Sequence, residues 1–116
     1  HVFDSLENGI SQPLTGREFY KLISIISSII KDGHTILLPG GSNANHYLPY
    51  HFAIRNNQLF TQMVCTGDRT IPAGAEITSI NQVAASDIIK QLCERQVRDG
   101  DNLTYPIWIL SNYFRE

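Results

Sequence analysis

The 116-residue chain carries little charge: 17% of its residues are Asp, Glu, Lys or Arg, and the formal sum is −2. A chain so close to neutral, with no basic run, has no electrostatic reason to bind nucleic acid or an anionic membrane surface. Its two cysteines, Cys65 and Cys93, have neither metal-ligand nor redox-motif spacing. Each reads as a small buried residue rather than a disulfide partner, so the compartment cannot be read from them. No repeat and no low-complexity tract occurs, and the longest apolar run falls far short of the roughly 20 residues that span a bilayer. The chain opens on His1 rather than Met, has no signal peptide, and ends at Phe114-Arg115-Glu116 without a stop signal. It is therefore read as a piece of a longer protein, in which a missing targeting segment carries no information. What it does have is a hydrophobic content of 42%, that of a globular chain rather than a disordered one.

The most fully specified stretch runs from Leu14 to Thr35. Thr15 and Glu18 have capping-box spacing, with Leu14 and Phe19 at the flanking positions of a hydrophobic staple. Phe19, Leu22, Ile23, Ile26, Ile29 and Ile30 recur at three-and-four spacing, which predicts one apolar helix face. Gly33 follows the last turn, where a left-handed residue would close the helix, and the next side chain is His34. Upstream, Val2, Phe3, Leu6 and Ile10 line one side of a short helix ended by Gly9 and Pro13. The two helices form a hairpin that needs something else to cover its apolar side.

After His34 the pattern changes. Thr35 to Leu38 is β-rich, and Pro39-Gly40-Gly41-Ser42-Asn43 is a loop. Leu48 to Ile54 reads as a strand, Asn56-Asn57 as a turn, and Leu59 to Val64 as a second strand, together a hairpin. A short strand is expected at Ile77 to Asn81. Ser86 can cap a helix from Asp87 to about Arg98 that turns Ile88, Ile89, Leu92, Cys93 and Val97 inward, with Asp99-Gly100 as its stop. Leu103 to Tyr113 fits strand or helix, and Pro106 in a first helical turn favours the helix.

The run IPAGAEITSINQVAASDIIKQL resembles the central signature of a PDZ-like domain, with proline, glycine and an acidic residue before a strand ending in Ile80-Asn81 and a groove-bordering helix after it. Preceded by a helix ending in KDGHT, it is similar to the tail-specific, C-terminal processing serine peptidases, in their tricorn-core-like branch. The likeness covers roughly residues 14 to 114. It implies an α+β fold: a helical segment of an N-terminal subdomain over residues 1–35, then a PDZ-like domain over 36–116 with a small, partly antiparallel sheet and one or two helices. One position departs from the pattern. The turn after Ile80-Asn81 usually carries glycine, because a type I′ turn needs positive φ. Gln82 stands there, so either the turn is of another type or Gln82 adopts positive φ at a cost on the order of 1 kcal/mol.

The resemblance implies a general-base role for His34 toward a serine in a C-terminal catalytic domain that lies outside this sequence. An imidazole with its ordinary pKa near 6.5 suits that task. Its competing reading is a histidine that hydrogen-bonds the helix C-terminus, favoured there by the dipole. A zinc site from His34, His46 and His51 is disfavoured, since no acidic or cysteine ligand lies at matching spacing; His51 reads as a strand residue facing solvent. Ser42 in Gly40-Gly41-Ser42 lacks the strand-turn-helix context of a nucleophile elbow, and Asn102-Leu103-Thr104 is a glycosylation triplet of no weight. PDZ-like domains also bind extended chains by strand addition. The likeness places such a groove at Leu48, Tyr50, Phe52 and Ile54, opposite Ile88 and Leu92.

The resulting expectation is the non-catalytic N-terminal part of a serine endopeptidase. It positions a peptide or protein C-terminal segment, contributes His34 to a composite site, and is inactive without the catalytic domain. No cofactor, metal, nucleic acid or membrane span is expected, and the resemblance implies a bacterial periplasm or cell envelope. The alternatives are a free-standing PDZ-like peptide-binding or scaffolding module, and a degenerate relative that holds a small apolar ligand.

Overall fold

Thr15 opens the helical region as its spacing requires. Its backbone N–H donates to Glu18 Oε2 at 2.8 Å and its hydroxyl accepts from the Glu18 N–H at 3.3 Å, completing the capping box. In the computed structural model, which describes residues 2–38, 47–65, 67 and 70–114, this cap starts α2 (Gly16–Ile23). A preceding helix, α1 (Val2–Asn8), stops before Gly9 and buries none of its side chains. The long rod expected after Thr15 is interrupted at Ser24 and resumes as α3 (Ile25–Ile30). Ser24 and Ser28 turn their hydroxyls back on the carbonyls of Lys21 and Ile25, both at 3.0 Å, a contact that loosens and bends helices.

The buried stripe of this region also differs from the expected one. Ser24, Ser27 and Ser28 are buried, whereas Phe19, Ile29 and Ile30 are 45%, 42% and 48% exposed. The hydroxyls of Ser24 and Ser28 are satisfied within their own turns, so the serine face goes inward at little polar cost. The stop differs as well. Lys31, not Gly33, is the left-handed residue, with φ 57° and ψ 34°. The β-rich segment Thr35 to Leu38 joins no strand, and Ile36 and Leu38 are left exposed.

The sheet begins with β1 (Tyr50–Arg55) and β2 (Gln58–Val64), the expected hairpin. Asn56 and Asn57 have φ of 49° and 61°, as a type I′ turn demands. The register slips between His51 and Phe52: Phe52 faces Thr61 while His51 faces Met63, so Gln62 is the extra residue of a bulge. A short β3 (Glu76–Ile77) pairs antiparallel with β2, giving the order β1-β2-β3. Between them Thr61, which is 1% exposed, clamps the Pro72–Ala75 turn. Its hydroxyl donates to the Pro72 carbonyl at 2.6 Å and accepts from the Ala75 N–H at 3.1 Å. The strand expected at 77–81 is divided: Ser79–Ile80 (β4) leaves the main sheet and pairs with Val83–Ala84 (β5). Their turn, Asn81-Gln82, has φ of 50° and 68°, so Gln82 does occupy the position that favours glycine.

β5 runs directly into α4 (Ala85–Cys93), with Ala84 at the N-cap and no side-chain cap, so Ser86 does not take the expected role. α4 ends at Cys93 rather than near Arg98, because the chain tightens into three-residue turns, Arg95 N–H to Leu92 C=O and Gln96 N–H to Cys93 C=O. Leu103–Tyr113 resolves as helix, α5 (Thr104–Tyr113), with Pro106 buried in its first turn. Tyr50, Phe52, Leu59, Ala85, Ile89, Cys93 and Leu110 form the core, and Phe114 meets Phe52 edge-on at 5.2 Å. The fold is thus α+β, with an N-terminal helical segment and a small antiparallel sheet packed with two helices. No helix among the described residues is long and apolar enough to cross a membrane.

Candidate functional site

The turn that carries His34 is fastened from two directions. Within it, Asp32 Oδ1 accepts the His34 N–H at 3.2 Å, and Asp32 Oδ2 accepts the Thr35 hydroxyl at 2.8 Å. The Thr35 hydroxyl, then the His34 N–H, hold the Asp32 carboxyl below its usual range. From across the fold, Asp99 Oδ1 accepts the Gly33 N–H at 2.6 Å, and Gly100, at φ 58°, donates its N–H to the Lys31 carbonyl. Lys31 Nζ meets Asp101 at 2.5 Å, which depresses the Asp101 pKa.

Gly33 is needed here for space, not for handedness. A Cβ on it would stand 2.7–2.9 Å from the Asp99 carboxylate. The sequence alone marks Asp99-Gly100 only as a helix stop; its second use, as a bracket on the KDGHT turn, depends on a contact between residues 66 apart.

The main chain of the turn is therefore held while the imidazole is open. The His34 side chain is 97% exposed, with Nδ1 3.5 Å from Asp32 Oδ1. The apolar residues flanking the turn, Ile29, Ile30, Ile36 and Leu38, are 42%, 48%, 55% and 79% exposed.

The six residues expected to line a peptide groove are not brought to one place. Tyr50 and Phe52 are core residues, and Leu48 is exposed. Ile54 faces a cleft of about 530 Å³ between α4 and α5. Ile88 and Leu92 face a different cleft, of about 420 Å³, which Tyr20, Lys21 and Ser24 close from the α2 side. What the sheet does offer is an edge: among the described residues β1 pairs with β2 alone.

His46 and Ser42 lie outside the described residues. His51 is half-buried on β1 rather than open to solvent, and the described residues contain no cluster of three metal-ligating side chains. The cysteines divide: Cys93 is buried, which raises its thiol pKa, and Cys65 is exposed. Comparison of the chain with protein-family models, with curated proteins and with solved structures gives no match.

Proposed function

We propose that this chain is the substrate-positioning part of a serine endopeptidase of the tail-processing type, in which a PDZ-like unit holds an extended peptide and His34 serves a nucleophile carried elsewhere. The observation that carries the reading is the His34 turn: a main chain fixed by Asp32 and Asp99 beneath an imidazole that is 97% exposed. A base supplied across an interface needs both properties. The exposed Ile29, Ile30, Ile36 and Leu38 on either side of the turn supply the apolar surface on which a catalytic domain would dock. Among the described residues β1 is an edge strand of its sheet, a position that suits strand addition by the substrate, with main-chain hydrogen bonds giving the affinity.

The test is His34→Ala in the enzyme that joins this chain to its serine-bearing domain. Loss of a general base lowers kcat by about 10²–10⁴, with KM for the peptide nearly unchanged. Cleavage at the wild-type rate refutes the role. In parallel, the 116-residue chain is titrated with peptides bearing free or amidated C-termini and followed by NMR. Shifts along residues 50–55 support the edge as the peptide site, and a flat titration argues against it. The same edge strand also favours a second reading, a peptide-binding module without hydrolase activity. Peptide binding together with an inert His34→Ala would select it.

A further inference from the structure

We infer that the cleft between α2 and α4 binds a small phosphate monoester, with its dianion between Lys21 and Arg95 and its organic part laid on Ile88 and Leu92. The cleft holds about 420 Å³, within the range of sites that take small ligands. The charged side chains that line it are both cations: Lys21 from the last turn of α2, and Arg95 from just beyond the end of α4. No Asp or Glu lines it, so two like charges face one space in a chain whose formal sum is −2.

Neither cation is neutralised from another side. Among the described residues, Lys21 and Arg95 enter no ion pair. Glu18, one turn before Lys21, already accepts from the Thr15 N–H at 2.8 Å and from its hydroxyl at 2.7 Å. Arg95 donates one N–H to the Gln91 carbonyl at 3.4 Å, out of the five that a guanidinium carries. Both residues are exposed, so a ligand entering from solvent has access to them. The pair of charges decides the chemical class. A carboxylate answers one of them, whereas a phosphate monoester carries about −1.5 to −2 near neutral pH and answers both. Its three terminal oxygens suit the donors on this lining, a guanidinium, an ammonium and the side-chain amides of Gln91 and Gln96. The half-buried Ile88 and Leu92 supply the apolar surface for the ester group. A ligand held this way bridges α2 to the end of α4.

The experiment follows the backbone amides of the 116-residue protein by NMR during titration with phenyl phosphate, inorganic phosphate, benzoate and benzyl alcohol. Phenyl phosphate is expected to give saturable shifts at Ser24, Ile88 and Leu92, and to bind at least fivefold more tightly than any of the other three. Its affinity should fall as NaCl rises from about 20 to about 200 mM, because screening weakens attraction at exposed charges. Lys21→Gln and Arg95→Gln should each weaken it severalfold, and the double variant should abolish saturation. Both positions are exposed, so the urea midpoint without ligand should hold in the variants, while saturating phenyl phosphate should raise it in the wild type alone. Equal affinity for inorganic phosphate, benzoate or benzyl alcohol, undiminished binding to the double variant, or no saturable shift overturns the inference.

Discussion

Gly33→Ala should reverse the sign of its effect on stability according to whether Asp99 is present. The backbone of Gly33 is not left-handed, so alanine meets no torsional barrier. On backbone grounds alone the change should stabilise the fold by about 0.4–1 kcal/mol, through the narrower unfolded ensemble of alanine. The obstacle is steric. The new Cβ would stand 2.7 Å and 2.8 Å from the two Asp99 oxygens, closer than carbon and oxygen approach without bonding. The carboxylate must swing away and give up the 2.6 Å bond from the Gly33 N–H. A hydrogen bond to a charged group contributes about 1.5–3 kcal/mol when sheltered. Solvent competes at this exposed turn, so about 1–1.5 kcal/mol is the appropriate figure.

In the wild-type background the loss wins, and Gly33→Ala destabilises by roughly 0.5 kcal/mol. In an Asp99→Ala background only the favourable contribution remains, and the same substitution stabilises by about 0.4–1 kcal/mol. Urea unfolding of the four proteins closes the cycle, with an expected coupling of about 1–1.5 kcal/mol. If Gly33→Ala has the same effect in both backgrounds, Asp99 is not what requires glycine at this position, and the bracket on the His34 turn is not real.

Three further outcomes can be checked on the same protein. Gln82→Gly relieves a left-handed residue at φ 68° and should stabilise by up to about 0.6 kcal/mol once the entropy of glycine is subtracted; a lowered urea midpoint counts against the type I′ turn. Thr61→Val keeps the shape but strips the Pro72 carbonyl and Ala75 N–H of a buried partner, and should cost about 1–3 kcal/mol; a neutral result shows that water replaces the hydroxyl. Glu18, Asp32 and Asp101 all have pKa values lowered in the fold, by Thr15, by Thr35 and by Lys31 respectively. Their contribution is complete above the ordinary carboxylate range and is lost as the pH falls through their depressed values. Urea midpoints should therefore decline below about pH 4.5, and a profile flat to pH 3 refutes that linkage.

Local chemistry was readable wherever a few neighbouring residues decide the outcome. The capping box at Thr15 and Glu18, the Asn56-Asn57 hairpin and the helix opened by Tyr105-Pro106 each depend on contacts within one or two turns. The question that Gln82 raised could be posed from sequence but needed backbone angles for its answer. The failures share a different cause. Helical periodicity marks Phe19, Ile29 and Ile30 as inward because it ranks side chains by transfer energy. The packing instead favours the smallest residues on that helix, Ser24, Ser27 and Ser28. Gly33 has the composition of a helix stop, yet its use is close approach by Asp99, a long-range contact with no local signal. Alternation likewise puts Tyr50 and Phe52 on one face without saying what covers it, and in the fold that face is the core.

Under the proposed function, a histidine given to a partner's active site must satisfy two opposed conditions, and the His34 turn has features that suit both. If its main chain were free, docking would have to order several residues at about 1–2 kcal/mol each. Asp32 and Asp99 carry out that ordering inside the isolated fold. The ring stays free, so docking has one side chain left to immobilise, at about 0.5–1.5 kcal/mol. Against this, Ile29, Ile30, Ile36 and Leu38 remain roughly half exposed or more. Covering even half of each side chain returns on the order of 1 kcal/mol per residue. Burial would therefore outweigh the freezing of the ring, which is the balance that the proposed composite site requires of these apolar flanks.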